Sequence, residues 1–222
     1  MKEALTHEDL YYLLNRQQGA VGHWPAESAW EIMLGAFLVQ NTTWHNTQIS
    51  LDKLGQATKF DPEHISQLTV EELLPLIYSS GFHKSKTQLI QTWFRWLKSY
   101  NYSFDGIHAD FQTTELLRQQ LLSFKGIGNE TADVLLLYVF EQPVFIADNY
   151  ARKLFTGLGS PAAKNYMSLK THVEQTTQLS LFEWKDYHGQ ILEYGKNHLV
   201  GKGPHQNLLF SEYYLKIDEC EL

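Results

Sequence analysis

The feature that most constrains the fold of this chain is a pair of glycines, Gly126 and Gly128, between two stretches of helical periodicity. From Thr113 to Phe124, leucines and a phenylalanine recur at spacings of three and four, which predicts a helix with one buried face. After the pair, Asn129 is of a type that often caps the start of a helix. Because glycine adopts positive φ readily, the segment predicts two helices joined by a tight turn.

A turn of this kind can bind an anion. The backbone N–H groups at the start of the second helix point outward and suit a DNA phosphate. Lys125, before the turn, is a candidate phosphate contact, and Ile127 would plug the turn into the core. Phosphate contacts carry no sequence information, so binding there would be independent of sequence. Turn chemistry alone favours an ordinary connection between helices.

Two further motifs and one carboxylate accompany the glycine turn. The segment 38–42, Leu-Val-Gln-Asn-Thr, follows an apolar helical stretch, and residues 81–86 form a Gly-x-x-x-x-Lys segment between helices. Asp148 follows the apolar run 143–147. In this order and spacing the motifs resemble the helix-hairpin-helix DNA glycosylase superfamily, which includes endonuclease III and related alkylbase glycosylases. The resemblance covers about residues 28 to 155 and is thinner elsewhere.

The resemblance implies an all-α fold of two helical subdomains flanking a DNA-binding cleft. One module would be residues 28–138, ending in the helix-hairpin-helix, and the other residues 1–27 plus 139–222, carrying the catalytic Asp. The residues themselves also favour an all-α class, because alternating strand patterns are scarce and capping signals such as Thr6 with Asp9 recur. Helices are predicted at about 6–18, 28–40, 44–55, 62–67, 70–78, 84–100, 113–124, 129–140, 149–158, 161–176 and 181–199.

Asp148 is the candidate catalytic residue. Breaking an N-glycosidic bond develops positive charge on the deoxyribose, so the site needs a carboxylate and a positioned water. Asp148 is the only carboxylate between Glu141 and Glu174, and it precedes a helical pattern. Helix capping is its simplest alternative role, and the two roles are compatible because the helix dipole favours a negative charge there. We expect Asp148 to stabilise the developing charge and to orient or deprotonate the water.

Glu130 decides between two reaction types. In members of the family that also cleave the strand, a lysine stands two residues after the second glycine of the hairpin and forms a Schiff base. This chain has Glu130 at that position. The resemblance therefore implies a monofunctional DNA glycosylase of base excision repair without AP lyase activity, in which water attacks.

Aromatic residues suggest the substrate. Trp24, within the stretch 23–25, and Trp44 look like aromatic positions of the alkylpurine glycosylases in this superfamily. A 3-methyladenine-type base is cationic, so stacking on tryptophan would gain roughly 0.5 to 2 kcal/mol. The charge also makes the base a good leaving group, and Glu130 could add attraction. Core packing is the alternative role of each tryptophan.

The expected partner is double-stranded DNA containing a damaged base, bound by a monomer. The net charge of −7 argues at first against such a partner, but residues 80–100 contain four Lys or Arg and no acid. Gln40 would enter the gap left by the extruded base, although it could also cap its helix. The candidate DNA-binding residues are Gln40, Asn41, Thr42, Lys86, Lys125, Gly126, Ile127, Gly128 and Arg152.

The number of cysteines limits which cofactors the chain can hold. Cys220 is the only cysteine, which excludes an internal disulfide framework and a cysteine-ligated iron–sulfur cluster. Many endonuclease III relatives carry four clustered cysteines near the C-terminus, where this chain has a basic, glycine-rich stretch. No Cys, Asp or Glu stands between His198 and His205 to complete a metal site. No metal or other cofactor is expected.

No signal peptide and no apolar run of membrane-spanning length are evident, so a cytoplasmic protein is expected, associated with the nucleoid if bacterial. Two alternative functions remain. The same fold could act on oxidised pyrimidines or mismatched bases, as endonuclease III-like enzymes do. It could also be a non-catalytic binder of damaged DNA.

Overall fold

The computed structural model describes residues 2–19, 21, 24, 26–200 and 208–216, and their regular structure is almost entirely helical. The prediction of an all-α fold is confirmed. The chain divides into two compact units. The terminal unit comprises Met1–Pro25 and Pro143–Leu222, and the inserted unit is Ala26–Gln142.

The elements follow one another through both units. In chain order they are β1 (Glu3–Leu5), α1 (His7–Gln18), α2 (Ala29–Leu38), α3 (Trp44–Thr58), α4 (Pro62–Gln67), α5 (Val70–Ile77), a 3-10 turn (Tyr78–Ser80), α6 (His83–Ser99), α7 (Phe104–Asp110), α8 (Thr114–Leu122), α9 (Asn129–Tyr138), α10 (Asn149–Gly157), a second 3-10 turn (Pro161–Lys164), α11 (Tyr166–Thr176), α12 (Leu181–His198), α13 (Leu208–Glu212) and β2 (Tyr213–Leu215).

The core of the inserted unit centres on Trp93 of α6, which is completely buried. Its ring packs edge-on against Phe37 of α2 at 5.4 Å and against Phe124 at 5.2 Å, between ring centroids. Its indole Nε1 donates to the sulfur of Met33 at 3.3 Å. Since Phe124 directly precedes the glycine turn, this aromatic packing anchors the turn to the core.

The terminal unit joins the two ends of the chain. Asp186 of α12 is buried and accepts hydrogen bonds from the Tyr11 hydroxyl at 3.2 Å and from Asn15 Nδ2 at 2.9 Å, both on α1. Strands β1 and β2 pair in parallel, with Glu3 opposite Tyr213. The unit is therefore closed by contacts between residues far apart in the sequence.

Most predicted helices form within a few residues of their predicted bounds, and the capping signals explain why. Thr6, Thr69 and Ser180 each form a complete capping box with the acid three residues later. Helix α7 was not predicted; Gly106 in its interior lowers its intrinsic helix propensity. None of the described helices is long and apolar enough to cross a membrane.

The expectation that Asn129 caps the helix after the glycine turn is wrong. Gly128 is the capping residue, with extended backbone angles of φ −97° and ψ −178°, and Asn129 is the first helical residue. The Asn129 side chain points instead to α8, where its Oδ1 accepts a hydrogen bond from Arg118 Nη2 at 2.9 Å. Capping preference is a local signal, and here a contact between helices overrides it.

Candidate active site and nucleic-acid interface

The two glycines of the hairpin between α8 and α9 play different parts. Gly126 has φ +102°, so backbone strain favours glycine there, although a Cβ would make only an ordinary contact with Leu89 Cδ2 at 3.4 Å. Gly128 has an ordinary φ, and a Cβ there would meet nothing within 4 Å. Ile127 between them is buried and holds the turn to the core, as expected. The space outside Gly128 is thus open to a ligand.

The start of α9 has the properties of an anion site. No side chain caps it, because its capping residue is Gly128. The first N–H groups of a helix lack intrahelical partners and carry partial positive charge. Lys125 is exposed beside this turn. A phosphate could therefore meet backbone donors and an ammonium at one place, as the sequence predicts.

A buried ion pair fixes the angle between the two hairpin helices. Arg118 of α8 binds Asp133 of α9 through two hydrogen bonds, Nε to Oδ1 at 2.8 Å and Nη2 to Oδ2 at 3.1 Å. Both side chains are almost inaccessible to solvent. A bidentate guanidinium–carboxylate pair constrains direction as well as distance. The hairpin is therefore a rigid element.

Gln40 is attached to the hairpin. Its Nε2 donates to the carbonyl of Gly126 at 3.0 Å and to the Thr131 hydroxyl at 3.0 Å. Asn41 is exposed, with φ +54°, and the hydroxyl of Thr42 accepts from Asn46 at 3.2 Å. The structure thus brings the Gln40 segment and the hairpin together. Entry of Gln40 into a duplex would require release of both hydrogen bonds.

Lys86 lies in the interior of the inserted unit. Its side chain is 3% exposed, and its ammonium donates to the carbonyls of Leu38 at 2.8 Å and Ser80 at 2.7 Å. Burial lowers the pKa of Lys86 to about 8. A phosphate contact by this lysine would require both hydrogen bonds to break. The sequence pattern does not give the direction of the Lys86 side chain, which packing decides.

Glu130 occupies the first turn of α9 with its side chain exposed, although nearby protein atoms displace part of its solvent shell. This desolvation raises the pKa of Glu130 above its ordinary value. The position offers a carboxylate and no amine.

An aromatic surface that sequence reasoning missed lies at the start of α6. Phe82 is 66% exposed with φ +47°, and Tyr78 is 63% exposed and stacks on the His83 ring at 4.8 Å. A bulky residue at positive φ is uncommon. Exposed aromatic rings are the surfaces on which bases stack. The sequence signal was the pair Gly81-Phe82 within the Gly-x-x-x-x-Lys motif.

In the terminal unit, Asp148 caps α10. Its Oδ1 accepts from the backbone N–H of Ala151 at 2.7 Å, and the side chain is buried. The preceding backbone is fixed at Phe145, whose N–H donates to Glu174 Oε1 at 2.8 Å. Lys170, itself buried, binds the same Glu174 oxygen. The hydrogen bond to Oδ1 thus fixes the carboxylate of Asp148 at the start of α10. This also sets the direction of its second oxygen, Oδ2.

His188 of α12 faces that second oxygen. Its Nε2 is 3.9 Å from Asp148 Oδ2, and the imidazole is buried. Burial, with a smaller effect of Lys196, lowers the pKa of His188 to about 4. At neutral pH the ring is uncharged, so it does not neutralise the carboxylate. A single histidine within a helical stretch carries no sequence signal, and for this reason it was missed.

The packing of α10 on α12 sets this geometry. A Cβ at Gly195 would lie 2.3 Å from a ring atom of Tyr150, so the tyrosine ring lies directly on the backbone of α12. Arg152 is exposed on α10, and its guanidinium donates to the carbonyl of Lys164 at 3.3 Å. It remains accessible to a phosphate.

The two tryptophans have different environments. Trp44 is the first residue of α3 and is 38% exposed. Trp24, in the terminal unit, is half-buried, and the neighbouring His23 and Pro25 lie outside the described residues. His205 and Cys220 also lie outside them, and within the described part of the chain no group of three or more His, Cys, Asp or Glu side chains could hold a metal.

Comparison with known proteins assigns this arrangement to a family. Residues 34–178 match the model of the HhH-GPD superfamily of base excision DNA repair proteins. The chain belongs to this superfamily. It is therefore a helix-hairpin-helix DNA glycosylase, and the matched region includes the hairpin and Asp148.

Known proteins that are similar to this glycosylase align with most of its chain. A protein of Methanocaldococcus jannaschii named as a DNA repair glycosylase is 30% identical over 93% of this chain and 94% of its own length. The crystal structure of a 3-methyladenine DNA glycosylase from H. pylori, bound to 1,N6-ethenoadenine, has a TM-score of 0.69 and 25% identity, covering 87% of this chain and 98% of the other. An endonuclease III in a non-covalent DNA complex shares the fold, with a TM-score of 0.70, 20% identity and 90% of each chain covered.

Proposed function

We propose that this glycosylase is monofunctional and removes alkylated purines of the 3-methyladenine type from double-stranded DNA. The observation that carries the proposal is Glu130, which stands where strand-cleaving members of the family have a lysine. A carboxylate there cannot form a Schiff base, and its charge attracts a cationic base. The likeness to the H. pylori 3-methyladenine DNA glycosylase supports the same substrate class.

Asp148 supplies the chemistry in this proposal. As the base departs, positive charge develops on the deoxyribose, and a carboxylate fixed beforehand stabilises it without reorganisation. The hydrogen bond from Ala151 fixes the Asp148 side chain, and the ring of His188 is uncharged at neutral pH. The same carboxylate orients or deprotonates the attacking water.

An alkylated purine needs little further assistance to leave. Its positive charge makes it a good leaving group without protonation by an enzyme acid. Stacking of the cationic base on Trp44 or Trp24 would contribute roughly 0.5 to 2 kcal/mol once desolvated. Neutral bases gain less from the same contact, which provides selectivity.

DNA is bound in this proposal through its backbone. The start of α9, with Lys125, takes one phosphate, and Arg152 takes another. Phe82 and Tyr78 offer stacking surfaces, and the Gln40–Thr42 segment lies next to the hairpin. Extrusion of the target nucleotide costs a few kcal/mol and is easiest for a damaged base.

Base release separates the substrate classes. The enzyme would be incubated with methylated DNA, with duplexes carrying an oxidised pyrimidine and with mismatched duplexes, and the released bases would be identified by chromatography. We expect release of 3-methyladenine and little of the others. Preferential release from the oxidised or mismatched duplexes would contradict the substrate assignment, and release from none would favour a non-catalytic binder.

Borohydride trapping tests the monofunctional reaction. With water as the nucleophile, we expect no covalent protein–DNA adduct on reduction and no strand cleavage without added alkali. An adduct in good yield would show an amine nucleophile and contradict this part of the proposal.

A further inference from the structure

Lys86 is a buried cation whose described partners are two backbone carbonyls. Its ammonium donates to Leu38 and Ser80, at 2.8 Å and 2.7 Å, from a side chain that is 3% exposed. Burial of a charged group is costly unless hydrogen bonds compensate. A lysine in such a place ties together the groups that it binds.

The two carbonyls are the ends of helices. Leu38 is the last residue of α2, and Ser80 is the last residue of the 3-10 turn. Carbonyls at helix ends lack intrahelical donors and carry partial negative charge, so a cation satisfies both needs. Lys86 thus joins the ends of two helices through one side chain.

Each of these helix ends leads directly into a turn that the proposed function assigns to DNA. After Leu38 come Gln40 and Asn41, and after Ser80 come Gly81 and the exposed Phe82. Gln40 in turn donates to the carbonyl of Gly126 in the hairpin. Lys86 and Gln40 therefore connect three turns of the inserted unit in one series of hydrogen bonds.

We propose that Lys86 is a positioning residue for DNA binding: it holds the Gln40 turn and the Phe82 turn in one arrangement before DNA arrives, without contacting DNA itself. The inference rests on the proposed function, because it takes these turns to be the DNA-binding surface. It replaces the direct phosphate contact that the sequence motif predicts for Lys86. Preorganised turns bind DNA without first losing conformational entropy.

Salt dependence distinguishes the two roles. Each phosphate contact by a lysine contributes about 0.9 to the slope of log K against log salt concentration, because it releases condensed counterions. A positioning residue contributes nothing to this slope. Its loss weakens binding at every salt concentration by the same factor.

The experiment measures binding of the full chain to a fluorescent duplex with a central tetrahydrofuran abasic analogue, by anisotropy over a series of salt concentrations. For Lys86→Met we expect Kd to rise roughly tenfold, because the two turns would no longer be held in the arrangement that binds DNA. The salt slope should stay that of the wild type. For Lys125→Met we expect the slope to fall by about 0.9. Ile107→Val, buried in α7 and outside this hydrogen-bond series, is the control for mild destabilisation and should keep the wild-type Kd.

If the wild-type protein binds the duplex, either of two results with Lys86→Met would overturn the inference. One is a salt slope that falls as much as in Lys125→Met, and the other is a Kd equal to that of Ile107→Val. A wild-type protein that bound no duplex would overturn the proposed function and the inference together.

A second measurement uses the unaltered protein, in case Lys86→Met does not fold. Reductive methylation followed by mass spectrometry reports which lysines are accessible. We expect Lys86 to resist labelling both with and without the abasic duplex, and Lys125 to be labelled only without it. Labelling of Lys86 in the free protein that disappears on DNA binding would show a direct contact and contradict the inference.

Discussion

Asp148 combines a structural role, which the fold shows, with the catalytic role that we propose for it. The hydrogen bond from the Ala151 N–H caps α10 and also fixes the direction of the carboxylate. Positive charge at the helix start favours a negative side chain there. The structural role of the residue is therefore compatible with the proposed catalytic one.

Replacement of Asp148 by Asn tests this directly. Asn also caps helices well, so Asp148→Asn should fold and bind the abasic duplex like the wild type. Without the negative charge, we expect single-turnover release of 3-methyladenine to fall by at least about 10²- to 10³-fold. Base release at the wild-type rate would remove Asp148 from the catalytic role.

His188 predicts a dependence of stability on pH. Its folded-state pKa of about 4 lies below the usual value of about 6.5, so the unfolded chain binds more protons between these values. Stability should therefore fall as the pH is lowered from about 6.5 through 4, by up to about 3 kcal/mol from this group. In urea unfolding at both pH values, His188→Gln should lose this component, whereas His45→Gln, at an exposed site on α3, should keep it. Equal pH dependence in wild type and His188→Gln would contradict the assignment.

At the scale of elements, the two glycines of the hairpin differ in backbone angle and surroundings, which predicts that Gly126 serves stability and Gly128 serves DNA binding. Gly126 is required by its positive φ, a property of the chain alone. Gly128 has no such constraint and faces open space. On the proposed function, a DNA phosphate approaches the backbone at that position.

Alanine at each glycine tests this distinction. Gly128→Ala should change the free energy of unfolding by less than about 0.5 kcal/mol, because the poorer capping by alanine is offset by the reduced freedom of the unfolded chain. It should weaken binding to the abasic duplex by roughly tenfold, or about 1.4 kcal/mol, because the Cβ obstructs the phosphate. Gly126→Ala should instead cost about 1 to 3 kcal/mol of stability. Urea unfolding measures the change in stability, and fluorescence anisotropy measures the change in duplex binding. Unchanged binding by Gly128→Ala would argue against a phosphate at this turn.

At the scale of the whole molecule, the buried network around Asp186 joins segments separated by most of the chain. Asp186→Ala leaves the Tyr11 hydroxyl and the Asn15 amide without their shared acceptor. We expect a loss of about 2 to 4 kcal/mol in the free energy of unfolding. Glu193→Ala, on the same helix but at a partly exposed residue, should change it by less than about 0.5 kcal/mol. Similar losses in both variants would contradict a special role for the network.

The sequence predicted those parts of the molecule that depend on local signals. Capping boxes at Thr6, Thr69 and Ser180 mark helix starts because their hydrogen bonds join residues three apart. The burial of Lys86 and the approach of His188 to Asp148 depend on packing between distant segments, which no local pattern encodes. Local motifs therefore predicted where the helices and turns lie, while the direction of individual side chains required the fold.

The discontinuous terminal unit also has a consequence for synthesis on the ribosome. The inserted unit, Ala26–Gln142, is contiguous and complete once its last residue has emerged. Helix α1 must wait for its partners on α12, which are made much later. Because chains emerge from the N-terminal end, we expect the inserted unit to fold first and the unit that carries Asp148 to close last. The nascent chain would thus fold its hairpin before it folds the helix start that fixes Asp148.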